Sequence, residues 1–297
     1  MNDTVPFAIF AYNQFNIKRM NEDFDYLEIN RKSWNNRVDV HLKSDFYDVE
    51  GFLKGESSLN DIELGLLGDI KGKSILHLQC HFGQDTISLG RLGANVTGVD
   101  LSDKAIDHAK ILAGKANVNA TFICCDIYDL PAHLNEQFDI IFTSYGVIGW
   151  LPDMNKWAQI ISNYLKPNGK FVFVEFHPIV WMFDDDFKRI EYNYFNSGAI
   201  RETQEGTYTD GENDLLQECV TWNHSLREVI NSLIQSGLTI SSFDEFDYSP
   251  YNCFSQTVEC EPNKYRIKHL SNHIPMVYSI IAVSYTHLRA HETTLHL

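Results

Sequence analysis

The chain is short of several things, and each shortage excludes something. No apolar run approaches the roughly 18 residues that a bilayer-spanning helix needs. Residues 1–6 carry no basic stretch ahead of a long apolar core, so neither a membrane partner nor a secretory leader is expected. Basic residues are scarce: 24 lysines plus arginines stand against 40 aspartates plus glutamates, a formal net charge of -16, and the basic residues form no run. A surface that acidic repels phosphate backbones, which excludes nucleic acid as the main partner. The six cysteines, at 80, 124, 125, 219, 253 and 260, contain no C-x-x-C pair. They read as reduced thiols in a cytoplasmic protein, and no metal site is expected. Asp184-Asp185-Asp186 does not change this, because three consecutive acids do not converge on one point; they read as a solvated loop. Internal repeats and low-complexity segments are absent as well.

What is present is bulk and rhythm. The chain has 297 residues, 44% of them hydrophobic, enough to bury a sizeable core. Residues 1–70 read as an N-terminal helical cap, with helical spacing over 30–41 and 59–67. Short apolar segments and helical segments then alternate: strands at 75–78, 96–99, 121–124, 138–143 and 170–176, with helices at 85–92, 103–116 and 155–165 between them. Ser102 is placed to cap the helix that follows it. The rhythm breaks over 178–222, an aromatic-rich insertion, and resumes with a helix at 225–235 and strands at 238–243 and 276–283. Nearly continuous apolar strands alternating with helices predict an α/β fold, a mostly parallel sheet covered on both faces, over residues 71–283. Residues 284–297 fit no element. They read as a sequencing artefact in place of the true C-terminus, so His287, His291 and His296 are not offered as ligands.

Three motifs lie at strand ends. The first strand runs into Leu76-His77-Leu78-Gln79-Cys80-His81-Phe82-Gly83, a tight turn with one glycine, whose lack of a Cβ would let backbone approach a ligand. The second strand ends in Gly98-Val99-Asp100, followed by Leu101, and the third in Cys125-Asp126-Ile127. An acid after the second strand suits ribose hydroxyls, and a polar group after the third suits an adenine edge. With Phe138-Asp139-Ile140-Ile141-Phe142 and Leu165-Lys166-Pro167-Asn168-Gly169-Lys170, this ordered set resembles the class I S-adenosylmethionine-dependent methyltransferases. The resemblance covers roughly 60–180 and 221–283. It implies a Rossmann-like, seven-stranded sheet whose last strand, 276–283, is antiparallel. It implies S-adenosyl-L-methionine as cofactor, contacted by His77, Gln79, Cys80, His81, Gly83, Asp100, Leu101, Asp126, Ile127 and Ser144. Family members commonly carry an acid where this chain has His77, and glycines where it has Gln79 and His81. A nicotinamide or flavin enzyme would require G-x-G-x-x-G after the first strand, which is missing.

The implied function is methyl transfer to a small-molecule acceptor, aromatic or hydrophobic in character if the insertion forms its pocket. The alternative is an inactive S-adenosylmethionine- or S-adenosylhomocysteine-binding regulatory or scaffold protein. Alignment and exclusion of water do most of the work in such a transfer, and a base is required only if the acceptor carries a proton. Tyr145 and Trp150 follow the fourth strand, and Glu175 and His177 end the fifth. His177 is the preferred base, with Tyr145 beside it at the rim.

Overall fold

The structure, a computed structural model, describes residues 25–209 and 215–285. Residues 1–24 and 286–297, and with them the reading of the extreme N-terminus and of His287, His291 and His296, lie outside the described residues.

Three helices open the described chain: α1 (Tyr26–His41), α2 (Val49–Lys54) and α3 (Asp61–Leu67). Asp25 caps α1 by accepting from the Glu28 N–H. There follow β1 (Ser74–Leu78), α4 (Gln84–Arg91), β2 (Asn95–Asp100), α5 (Asp103–Ala116) and β3 (Ala120–Cys124). Ser102 does cap α5, its hydroxyl accepting from the Ala105 N–H at 3.0 Å. Then come a 3-10 turn at Ile127–Ala132, β4 (Phe138–Ser144), α6 (Met154–Tyr164) and β5 (Leu165–Phe176).

The 178–222 segment contains a 3-10 turn at Val180–Met182 and a hairpin, β6 (Ile200–Glu205) with β7 (Leu216–Thr221). The chain closes with α7 (Leu226–Gln235), β8 (Thr239–Phe246), a second hairpin of β9 (Thr257–Glu261) and β10 (Lys264–Ile267), and β11 (Val277–Val283). This second hairpin has no counterpart in the sequence reading.

The seven-stranded sheet runs β3-β2-β1-β4-β5-β11-β8, with β11 antiparallel to both of its neighbours. This is the Rossmann-like order and the antiparallel last strand that the resemblance implied. Side chains alternate between two buried faces. Leu76, Ile141 and Phe173 point into a core shared with Trp157 of α6 and Leu233 of α7. Ile75, Ile140 and Val172 point the other way, toward Leu67 of α3 and Leu89 of α4. Because both faces are covered, the strands are apolar throughout rather than alternating.

At the amino end of β4, Asp139 accepts from the Ser74 N–H and hydroxyl and pairs with Lys166 at 3.0 Å. That fastens β1, β4 and the start of β5 at the edge far from the site. The order reverses between β1 and β4. In sheets of this kind the crevice at such a reversal, outside the carboxyl ends of the strands, is where ligands bind.

Candidate active site

A cleft of about 1410 Å³ opens at that reversal. Its floor is the carboxyl ends of β1, β2, β3 and β4; its roof is α1, the β6–β7 hairpin and the segment after β8. Single-ligand pockets are commonly about 300–1,000 Å³, so the volume suits two reactants together.

The first loop is shaped by left-handed backbone at Gln79 (φ 57°), His81 (φ 48°) and Gly83 (φ 83°). Such a run costs non-glycine residues energy and persists only when neighbours fix it. Here they do. Gln79 Nε2 donates to the Val147 carbonyl at 2.8 Å, tying the loop to the turn after β4. The His81 N–H donates to Asp100 Oδ2 at 2.7 Å, tying it to the end of β2. The other Asp100 oxygen accepts from the Ser102 N–H at 2.8 Å. Burial raises the Asp100 carboxyl to about 6, against the pull of these N–H donors.

Gly83 has a packing reason that the sequence alone does not show. A Cβ there would lie 2.8 Å from the Phe122 ring and 2.9 Å from Ala109, so the glycine is required by packing against β3 and α5 and by its positive φ. Gly83 also borders the cleft, as the sequence placed it.

Three imidazoles surround the loop, and burial keeps all three neutral. His77 is 3% exposed, shares a hydrogen with Thr86 Oγ1 at 2.8 Å and is pushed down to about 3. His81 Nε2 meets His41 Nδ1 at 2.9 Å, and His41 Nε2 meets Thr207 Oγ1 of the roof at 2.7 Å. His41 is lowered to about 3 by burial and by Arg37, and His81 falls well below the usual range for the same reasons and because of His41.

Arg37 is the cation of this region and was not recognised from the sequence. It is 3% exposed, its guanidinium lies 4.9 Å from the Trp34 ring and 5.1 Å from the Trp150 ring, and one Nη2 bond goes to Gln204 at 2.8 Å. Three buried polar atoms on residues bordering the cleft have no partner among the described residues: Arg37 Nη1, Gln79 Oε1 and His81 Nδ1.

Most of the remaining sequence-derived residues also border the cleft. Cys80, Leu101 and Ile127 line it, as does Asp126, which caps the 3-10 turn by accepting from the Tyr128 N–H at 3.3 Å. Ser144 donates to Asp85 Oδ2 at 3.3 Å. Tyr145 (φ 39°) donates to Glu63 Oε2 at 3.2 Å. Asp85 and Glu63 were given no role from the sequence.

Glu175 is 1% exposed and accepts the N–H groups of Gly146, Val147, Ile148 and Phe176, so it shapes the turn after β4. His177 does not join them, which overturns its assignment as the rim base. Ladder pairing in β5 ends at Phe176; the His177 N–H then bonds to Met276 O, and the ring turns to Glu245 of β8, 2.9 Å away, outside the cleft lining. Among the described residues no group of three or more His, Cys, Asp or Glu is arranged to hold a metal ion.

Residues 75–169 match the family model described as a methyltransferase domain. The match runs from β1 into the start of β5. Over 135 residues the chain is 32% identical to the ubiquinone biosynthesis O-methyltransferase of Coxiella burnetii, an alignment covering 44% of this chain and 57% of that protein. The chain thus spans little more than half the length of the curated relatives it matches. An S-adenosylmethionine-dependent methyltransferase from Clostridium acetobutylicum superposes with a TM-score of 0.53 at 17% identity, over 86% of this chain and 98% of that one. Another from Mesorhizobium loti gives 0.52 at 21% identity, over 78% and 99%. At these identities the likeness is one of fold. The matched segment accounts for the floor of the cleft; α1, the β6–β7 hairpin and the segment after β8 lie outside residues 75–169.

Proposed function

We propose that this protein transfers a methyl group from S-adenosyl-L-methionine to a small-molecule acceptor. The observation that carries the reading is the meeting, in one cleft at the sheet's reversal, of the first loop with the acids that follow β2 and β3. The polar atoms left without partners fit such a molecule. Arg37 Nη1 suits the carboxylate of its amino-acid end, and Gln79 Oε1, an acceptor, suits the ammonium beside it. Asp100 is assigned to the ribose hydroxyls, and Asp126 with Ile127 to the adenine edge. When bound, the donor supplies a methyl group on a positively charged sulfur, already activated for displacement.

The protein's own work is to align and to exclude water. Gln79 and His81, fixed by Val147 and Asp100, hold the loop in one shape before any ligand arrives. Trp34 and Trp150, with Arg37 against both rings, wall off the amino-acid end. The N-terminal helices and the 178–222 insertion cap the acceptor. All six cysteines are free, which supports a reducing, cytoplasmic setting.

Calorimetric titration with S-adenosylmethionine and S-adenosylhomocysteine tests the reading. Binding of both is expected. Failure of either to bind at millimolar concentration would end it, while binding without transfer across an acceptor panel would favour the scaffold alternative.

A further inference from the structure

Beside the residues assigned to the donor, the cleft is also lined by a group of aromatic rings. Tyr145 and Tyr251 meet edge to face with 5.1 Å between centres, and Phe46 lies 5.5 Å from Tyr251 on its other side. Asp85, in the first turn of α4 and held by the Ser144 hydroxyl, borders the cleft close enough to Tyr145 and Tyr251 for its charge to act on both phenols. Behind the Tyr145 wall lies Glu63, 0% exposed, which accepts the Tyr145 hydroxyl and the Asn60 amide, each at 3.2 Å. The groups acting on the two carboxyls are neutral hydroxyls and amides and, for Glu63, Asp85 itself. Among the described residues no lysine, arginine or histidine pairs with either.

We propose, resting on the methyltransferase reading, that the acceptor is a small-molecule amine, seated as a cation between Asp85 and the faces of Tyr145 and Tyr251. A buried carboxylate without a cation is costly, and a cationic ligand removes that cost. Tyrosine faces attract the same charge through their quadrupole. The Tyr145 hydroxyl bond to Glu63 fixes that ring in place, which makes Glu63 a positioning residue. A phenol, thiol or carboxylic acid would have to react as an anion beside Asp85 with no paired protein cation among the described residues to offset that repulsion, which the compartment disfavours.

The chemistry balances with the groups present. Asp85 takes a proton from the bound ammonium and frees the nitrogen lone pair. The N–C bond forms as the C–S bond of the donor breaks; the C–S electron pair stays on sulfur, and the positive charge passes to nitrogen. The methylated ammonium departs with its charge, and Asp85 returns its proton to solvent. Burial of Asp85 raises its carboxyl, which suits it to hold that proton.

The test uses three probes of one shape and different charge: benzylamine, benzyl alcohol and benzoate. Each is titrated at pH 7 by calorimetry into the full chain saturated with S-adenosylhomocysteine. Benzylamine is expected to bind at least tenfold more tightly than benzyl alcohol, with benzoate weakest. Asp85→Asn is expected to abolish the preference, with thermal unfolding confirming that the variant folds. If that variant does not fold, Tyr251→Leu takes its place and is expected to cut the preference at least threefold. No preference for benzylamine in the wild type, or a preference that survives these substitutions, overturns the proposal. Failure of the wild type to bind S-adenosylhomocysteine is a different result, which removes the methyltransferase reading itself.

Discussion

The backbone N–H of His81 donates to Asp100 Oδ2 across 2.7 Å, so the loop after β1 and the acid that ends β2 form one unit. The carboxylate that is assigned to the ribose is also the clamp that holds His81 at φ 48°. Asp100→Ala therefore removes two things at once. S-adenosylhomocysteine binding is expected to weaken by about 1–3 kcal/mol, roughly 5- to 150-fold, the range of a lost charge-assisted hydrogen bond. Calorimetry measures it, and an unchanged affinity would show that Asp100 touches neither the ligand nor the loop in any way that matters.

Gly83→Ala should act on the fold. The added methyl meets Phe122 and Ala109 at 2.8–2.9 Å and sits at φ 83°, and crowding plus left-handed strain together cost about 2–4 kcal/mol. Urea unfolding reads this directly. Adding Phe122→Leu should recover part of the loss, since the ring supplies the nearest contact. A neutral Gly83→Ala would mean that α5 or β3 shifts more freely than its packing implies.

Glu63 gives a pH signature. Burial first, and then Asp85, raise its carboxyl to about 7, above the unfolded value of 4.5. The folded state thus binds the extra proton between those values. Stability from this group is complete below about 4.5 and declines as pH rises to about 7. Glu63→Gln removes the titration, so its stability relative to wild type should improve by about 2–3 kcal/mol between pH 5 and pH 8. Melting curves of both proteins across that window supply the comparison; a constant difference would show that Glu63 does not titrate there.

His177→Asn separates a structural histidine from a catalytic one. The imidazole packs beside Glu245 and Tyr278, away from the cleft. The variant should melt at a lower temperature while the transfer rate and its pH profile stay within about twofold of wild type. A general base would instead cost on the order of a hundredfold or more, and a loss of that size would restore His177 to the reaction.

Much of the sheet was legible because its signal is strong. Segments such as Phe171–Val174 are apolar at every position, and only a strand covered on both faces has a use for that. The roof was legible only in outline, as a helix over 30–41 and an insertion over 178–222; which face packs inward was not, for a physical reason visible in α1. Its buried stripe is Asn30, Ser33, Arg37 and His41 with a single Val38, so a surface that packs inward reads as one that faces water. The stripe is satisfied from far along the chain: Asn30 exchanges two hydrogen bonds with Val220 of β7. The β9–β10 hairpin escaped because its two alternating runs, Thr257–Glu261 and Lys264–Ile267, are only five and four residues long and β9 is largely exposed. The site itself divides in the same way. Asp100 and Asp126 follow from strand ends, whereas Asp85 and Glu63 are recognisable only once α3, α4 and β4 are seen to converge behind Tyr145.

Glu175 governs the turn after β4 from the neighbouring strand, since a single side chain takes up the N–H groups of Gly146, Val147 and Ile148. The path of that turn is therefore dictated by a residue that recognises only backbone, and backbone is the same whatever side chains hang from it. Trp150 adds one bond to the same turn, its Nε1 donating to the Gly146 carbonyl at 2.9 Å, whereas the Tyr145 hydroxyl reaches out to Glu63, so Tyr145 is the end that can be exchanged without redrawing the turn. What this turn presents at Tyr145 and what holds its path at Glu175 are written in different residues, so this part of the molecule can change its preference for an acceptor while its frame stays put.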